Sequence, residues 1–162
     1  MPEMLVKLYE LDDDWQFIKE QKSRGITLRK PIGPEKHLVV GWVADNFGSA
    51  WAGEADVAFA NRPRSCFVAV KNDTIVGFAC YDATALGFFG PLGVDRRHRR
   101  MGIGTALLMA CLLDMKLKGY GYGVVGAVKD TRFYKHTVGA VEIPGSTPGF
   151  YRSWVREVEN GR

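Results

Sequence analysis

The stretch Arg99-Arg100-Met101-Gly102-Ile103-Gly104 holds the residue types that bind a phosphate. Guanidinium groups supply matching charge, and glycines let an anion come close to the backbone. Thr105 and an apolar run from Ala106 to Leu113 follow directly. In a helix, the first N–H groups have no internal partner and point at whatever lies ahead of them. Leu86 to Val94 comes before the loop and reads as a strand. A strand, a basic glycine loop and a helix N-terminus, in that order, make a phosphate cradle.

The remaining segments supply the frame for that cradle. Met4 to Leu11 predicts a first strand, and Asp12 to Asp14 offer capping carboxylates for a short helix from Trp15 to near Gly25. Ile26 to Ile32 is extended. Pro34 and Glu35 open a helix whose apolar positions Leu38, Val39, Trp42 and Val43 have helical spacing. Gly48 interrupts, and Trp51 to Ala60 is a further helix stopped by Pro63. Cys66 to Val70 and Ile75 to Tyr81 predict a hairpin around Lys71-Asn72-Asp73. Gly90-Pro91 inside Leu86 to Val94 predicts a bulge, because proline cannot donate to a ladder. Gly104 to Lys118 is the strongest helix, with an apolar stripe of Leu107, Leu108, Cys111, Leu112 and Met115 and a stop at Gly119. Tyr122 to Val128 is a strand of the buried kind and Thr131 to Thr137 a short helix. Ala140 to Ile143 and Phe150 to Val155 are the last two predicted strands, joined by the loop 144–149. The order predicts one α/β domain over residues 1–162, a mixed central sheet of about six to seven strands with helices on both faces.

The spacing Arg99, two residues, Gly102, one residue, Gly104, after a strand ending at Val94, resembles the acetyl-CoA-binding motif of the GNAT superfamily of N-acetyltransferases. The block Arg132-Phe133-Tyr134-Lys135-His136-Thr137-Val138-Gly139-Ala140 is similar to the Phe-Tyr-x-x-x-Gly segment near the end of these enzymes. The resemblance implies a GNAT-like fold and an acetyl group moved from acetyl-CoA to a primary amine by direct attack on the thioester. It implies that Arg99, Arg100, Met101, Gly102, Ile103, Gly104 and Thr105 hold the pyrophosphate. Leu92, Gly93 and Val94 would hold the pantetheine arm like an added strand, in a gap between parallel strands ending at Val94 and beginning at Tyr122. The N–H of Val94 or a neighbour would face the thioester oxygen, and Tyr134 would be the acid that protonates the departing sulfur. The chain departs from the family pattern at Lys129-Asp130-Thr131, where the usual asparagine has no counterpart. Acceptor choice in such enzymes belongs to variable segments, here 24–62 and 144–149, and Trp42, Phe47 and Trp51 would form an aromatic wall there. Asp45, Glu54 and Asp82 are the carboxylates placed to take the amine's proton, with none singled out.

Composition narrows the alternatives. A formal charge of +4 over 162 residues suits an anionic ligand and does not by itself indicate nucleic acid. The run Arg96-Arg97-His98-Arg99-Arg100 is basic enough for one, but no second basic helix or aromatic platform accompanies it. Gly102-x-Gly104 lacks the third glycine of a dinucleotide loop. His37, His98 and His136 have no metal-ligand spacing, and no GxSxG is present. Cys66, Cys80 and Cys111 lie in apolar runs without CxxC spacing and read as free thiols of a reducing compartment. With no signal-peptide pattern and no membrane-length apolar run, a cytoplasmic protein is expected. The expected partner is a small-molecule or peptide amine, with no metal, nucleic acid or membrane, and a homodimer through a strand edge is compatible with the fold. From another class, a non-catalytic acyl-CoA-binding module has the same cradle.

Overall fold

The computed structural model describes residues 1–158; the last four residues of the expected domain 1–162 lie outside the described residues. Seven strands form one sheet: β1 (Met4–Lys7), β2 (Thr27–Arg29), β3 (Cys66–Lys71), β4 (Thr74–Tyr81), β5 (Phe88–Val94), β6 (Tyr122–Val125) and β7 (Val141–Glu142). Their order is β2-β3-β4-β5-β6-β1-β7, and every neighbouring pair is antiparallel except β5 and β6. Five α-helices flank it: α1 (Gln16–Ser23), α2 (Lys36–Phe47), α3 (Ser49–Ala60), α4 (Ile103–Lys118) and α5 (Thr131–Val138).

Alternation along the central strands divides the core in two. Phe67 and Ala69 of β3, with Ala79 and Tyr81 of β4, face α4 and the apolar side chains around α1. Cys66 and Val68, with Phe78 and Cys80, face Val39 and Val43 of α2 and Ala52, Ala55 and Ala58 of α3. This period of two is what a sheet covered on both faces requires. The three cysteines are free and buried.

Helix α4 is buried beyond the expected stripe. Ile103, Ala106, Ala110 and Leu113 are covered as well as the five predicted positions. It begins one residue earlier than predicted, after Gly102 in the left-handed region, and ends on Gly119 at φ 108°.

Several predicted elements are shorter or different. The first strand ends at Lys7, and Leu8–Glu10 form a 3-10 turn that drops Leu8 into the core. Trp15 caps α1, while Asp14 accepts from the Gln16 N–H at 2.9 Å. Strand β6 stops at Val125, and Val128 instead donates to the Pro2 carbonyl at 2.9 Å. Phe150 to Val155 is not a strand: Gly149–Ser153 is a 3-10 turn. The Glu3 carboxylate takes the Phe150 N–H at 2.5 Å, and the Phe150 ring packs 4.9 Å from that of Phe88, so this backbone is committed to a turn.

Candidate active site

The site is organised by β5, which bends and loses a neighbour. Ala79 pairs with Leu92 and Tyr81 with Phe89, so Gly90 and Pro91 together face Cys80: the predicted bulge. On the other side, β6 pairs only with Phe88 and Phe89. Beyond Phe89 the two parallel strands part, leaving Gly90 to Val94 without a strand on that edge.

The direction of the free donors follows from the ladder. The Asp95 N–H donates to the Val76 carbonyl at 2.8 Å, and antiparallel partners alternate between bonded and non-bonded pairs. Gly93 and Asp95 therefore point toward β4, and Leu92 and Val94 point their N–H and C=O groups into the gap. The Val94 carbonyl accepts from Arg99 Nε at 3.4 Å, as an outward-turned carbonyl can.

The loop that follows is held from behind. Arg100 at φ 65° and Gly102 at φ 76° are both left-handed, a geometry that turns N–H groups to one side into an anion-binding nest. The Met101 carbonyl is drawn the other way, accepting from Gln21 Nε2 at 3.1 Å and Arg24 Nη1 at 2.5 Å. No side chain caps the start of α4, so its first N–H groups remain open. The Ile103 side chain is buried, which leaves its backbone as the part that faces a ligand, whereas Arg99, Arg100 and Thr105 are exposed. A cavity of about 520 Å³ joins Leu92, Gly93 and Val94 to Arg99, Arg100, Gly102, Ile103, Gly104 and Thr105. Of the ten predicted cofactor residues only Met101 does not line it. Glycine at 93 makes room for the Phe47 ring, which lies directly over it, and glycine at 104 adds no side chain to the wall. Open donors, flanking arginines and an unpaired strand edge fit CoA, which carries phosphates at one end and amide groups along its arm.

Phe47, Trp51, His98 and Phe133 also line this cavity. Their positions follow from packing: Phe47 and Trp51 stack with centroids 5.1 Å apart over Phe78. Trp42, Phe47 and Trp51 pack as one cluster around Phe78, but they do not form a common wall: Trp42 lines neither cavity, Phe47 lines only this one, and Trp51 reaches both.

Tyr134 stands on α5 near the parting of the strands, its ring edge-on to Phe89 with centroids 6.5 Å apart. Burial, helped by the Asp130 charge, pushes its phenol up to about 12. It therefore keeps its proton at neutral pH. The structure does not put Tyr134 on the wall of either cavity.

A larger cavity, about 870 Å³, opens on the other side of the bulge. Ala50, Trp51, Gly53, Glu54 and Val57 line it at successive turns of α3, facing Gly90, Pro91, Gly126 and the 147–156 segment. Among the three candidate carboxylates, Glu54 alone lies here. It accepts a short hydrogen bond from the Thr84 hydroxyl, to which Tyr151 also donates at 3.5 Å. Burial raises its carboxyl above the ordinary value, with Thr84 opposing. Asp45 is exposed on α2. Asp82 is committed elsewhere: it is buried, paired with Lys118 at 2.9 Å, and accepts from Tyr120 and the Gly87 N–H. Those bonds tie down the turn that carries Thr84.

Among the described residues no group of three or more His, Cys, Asp or Glu side chains is placed to hold a metal ion, and no helix is long and apolar enough to cross a membrane.

Comparison with known proteins identifies the family and the fold. The acetyltransferase (GNAT) family model matches residues 36–139, and the chain belongs to that family. Solved structures share its fold at low identity. The glucosamine N-acetyltransferase region of a fungal multi-domain GH3 β-N-acetylglucosaminidase superposes with a TM-score of 0.71 at 14% identity, covering 88% of this chain and 19% of that one. A GCN5-related N-acetyltransferase from Sphaerobacter thermophilus gives 0.65 at 21% identity, covering 88% of this chain and 48% of that one. A GCN5-related N-acetyltransferase from Kribbella flavida gives 0.56 at 17% identity, covering 87% and 53%. The chain thus spans about half or less of the length of these structures. No curated protein matches it.

Proposed function

We propose that the protein is an acetyl-CoA-dependent N-acetyltransferase that acts on a primary amine without a covalent enzyme intermediate. The observation that carries this reading is the pair of cavities meeting at β5, one with a backbone anion cradle and the other with a half-buried carboxylate. When bound, acetyl-CoA supplies a thioester carbonyl and a thiolate leaving group. The nest at Arg100 and Gly102, the open N–H groups of α4 and the Arg99 guanidinium hold its phosphates. The outward N–H groups of Leu92 and Val94 orient the arm and stabilise charge that develops on the carbonyl oxygen.

Glu54 accepts the proton that an alkylammonium, with pKa about 10, must lose before it can attack. Its raised pKa brings it closer to neutrality and makes it a better base than an exposed carboxylate. The C–N bond forms as the C–S bond breaks; Tyr134, the acid that the family resemblance suggests, gives its phenolic proton to the departing sulfur and is reprotonated by the second proton that the acylated nitrogen sheds. No metal takes part in this scheme.

Calorimetric titration with acetyl-CoA and CoA, followed by release of free CoA on addition of an amine, tests the proposal. Binding that is lost in an Arg99→Ala, Gly102→Asp double variant, with amine-dependent CoA release by the parent, is expected. A folded protein that binds no CoA overturns it. One that binds CoA and releases none with any amine is a binding module.

A further inference from the structure

Resting on the assignment of the larger cavity as the acceptor site, we propose that its acceptor is a small monoamine with a flat, apolar body. Polyamines, aminoglycosides and amino sugars would be poor acceptors. Three observations carry this.

The first is charge. Among the described residues, Glu54 is the one acidic side chain on the cavity wall and Arg156 the one basic side chain. A polycation taken from water into such a space would leave all but one of its charges unpaired, which is strongly unfavourable. A single ammonium can be matched by Glu54, whose own bond to Thr84 fixes it in place.

The second is the lining. Trp51, Phe89, Phe150, Tyr151 and Trp154 present five aromatic rings around the carboxylate. Phe150 and Trp154 are each more than half exposed, and Val155 is 93% exposed. Large apolar side chains gathered and left in water at one mouth mark a binding surface rather than ordinary surface scatter. The rings are also mutually braced: Phe150 on Phe88, and Tyr151 edge-on to Trp154 at 5.9 Å. A hydroxyl-rich sugar would bury groups with few polar partners along this wall.

The third is size. A volume of about 870 Å³ falls within the range of small-molecule pockets.

The test uses the full chain with CoA bound. 2-Phenylethylamine and tryptamine are compared with spermidine, glucosamine and a tetrapeptide with a free N-terminus, by calorimetric binding and by kcat/KM for CoA release from acetyl-CoA. The aryl amines should lead each of the others by about tenfold or more, the scale on which one mismatched group discriminates. Val57→Asp, one helical turn from Glu54 and half-exposed, should narrow the gap to spermidine without altering CoA affinity. Phe150→Ala should raise KM for aryl amines while kcat is largely kept. Spermidine, glucosamine or the peptide ahead of the aryl amines overturns the acceptor class and leaves the acetyltransferase reading intact. Failure of the aryl amines to bind a CoA-loaded protein also overturns it. Failure to bind CoA at all overturns both.

Discussion

The two halves of the candidate site, on either side of the β5 bulge, are built differently. The anion cradle of the smaller cavity is backbone contributed by one stretch, residues 92–105, with the left-handed turns at Arg100 and Gly102 setting its shape and the rings of Phe47, Trp51 and Phe133 beside it. The larger cavity, proposed as the acceptor end, is lined from six separated stretches, from Met1 to Arg156. A backbone cradle binds a group common to every member of a family, so its chemistry is local and constant. A side-chain cavity is rebuilt by any substitution along its wall, so it is where specificity resides.

Substitutions that strike one half and spare the other test this contrast. The largest effect is expected for Glu54→Gln: kcat should fall by about a hundredfold or more, with CoA binding unchanged. The pH profile provides the sign. Glu54 must be ionised to accept a proton, so activity should rise as pH passes upward through its raised pKa. That acidic limb should vanish in the variant; if it persists, Glu54 is not the base.

Tyr134→Phe should lower kcat by between about ten- and a hundredfold without changing KM for acetyl-CoA. With its phenol near 12, loss of activity through Tyr134 ionisation should be absent below about pH 10. Unchanged turnover makes it a packing residue.

Gly102→Ala acts on the other half. A Cβ at φ 76° costs about 1 kcal/mol and comes within 3.3 Å of Gln21 Nε2. Affinity for acetyl-CoA should drop about tenfold while acceptor KM stays constant, as calorimetry and initial rates would show.

Glu35→Gln lies outside both halves and should alter stability alone. Arg29 and the Ile32 N–H hold the Glu35 carboxyl down to about 2, from 4.5. This stabilisation is fully present above about pH 4.5 and is lost as pH falls through 2. With both side chains partly exposed, the loss at neutral pH should be about 1 kcal/mol, read as a lower Tm that converges with the parent near pH 2.

The fold was legible where local signals are strong. The hairpin β3–β4, the Gly102 and Gly119 limits of α4 and the Gly90-Pro91 bulge follow from turn residues, helix caps and a missing donor. Phe150 to Val155 misled because its aromatic and β-branched residues have strand character, while its backbone partner is the distant Glu3 carboxylate. The choice among the candidate carboxylates is open in the sequence for a similar reason. Asp45, Glu54 and Asp82 are chemically alike in sequence. Only the Lys118 pairing of Asp82 and the exposure of Asp45 leave Glu54 as the carboxylate at the cavity.

What the amino-acid sequence determined by itself is the anion cradle and the α/β order around it, because a glycine loop ahead of an apolar helix needs only neighbouring residues to take shape. What the tertiary structure decided is the larger cavity: its carboxylate, its aromatic lining and the parting of β5 from β6. Those depend on which distant side chains share a volume, and volume is a property of packing that spacing along the chain does not encode.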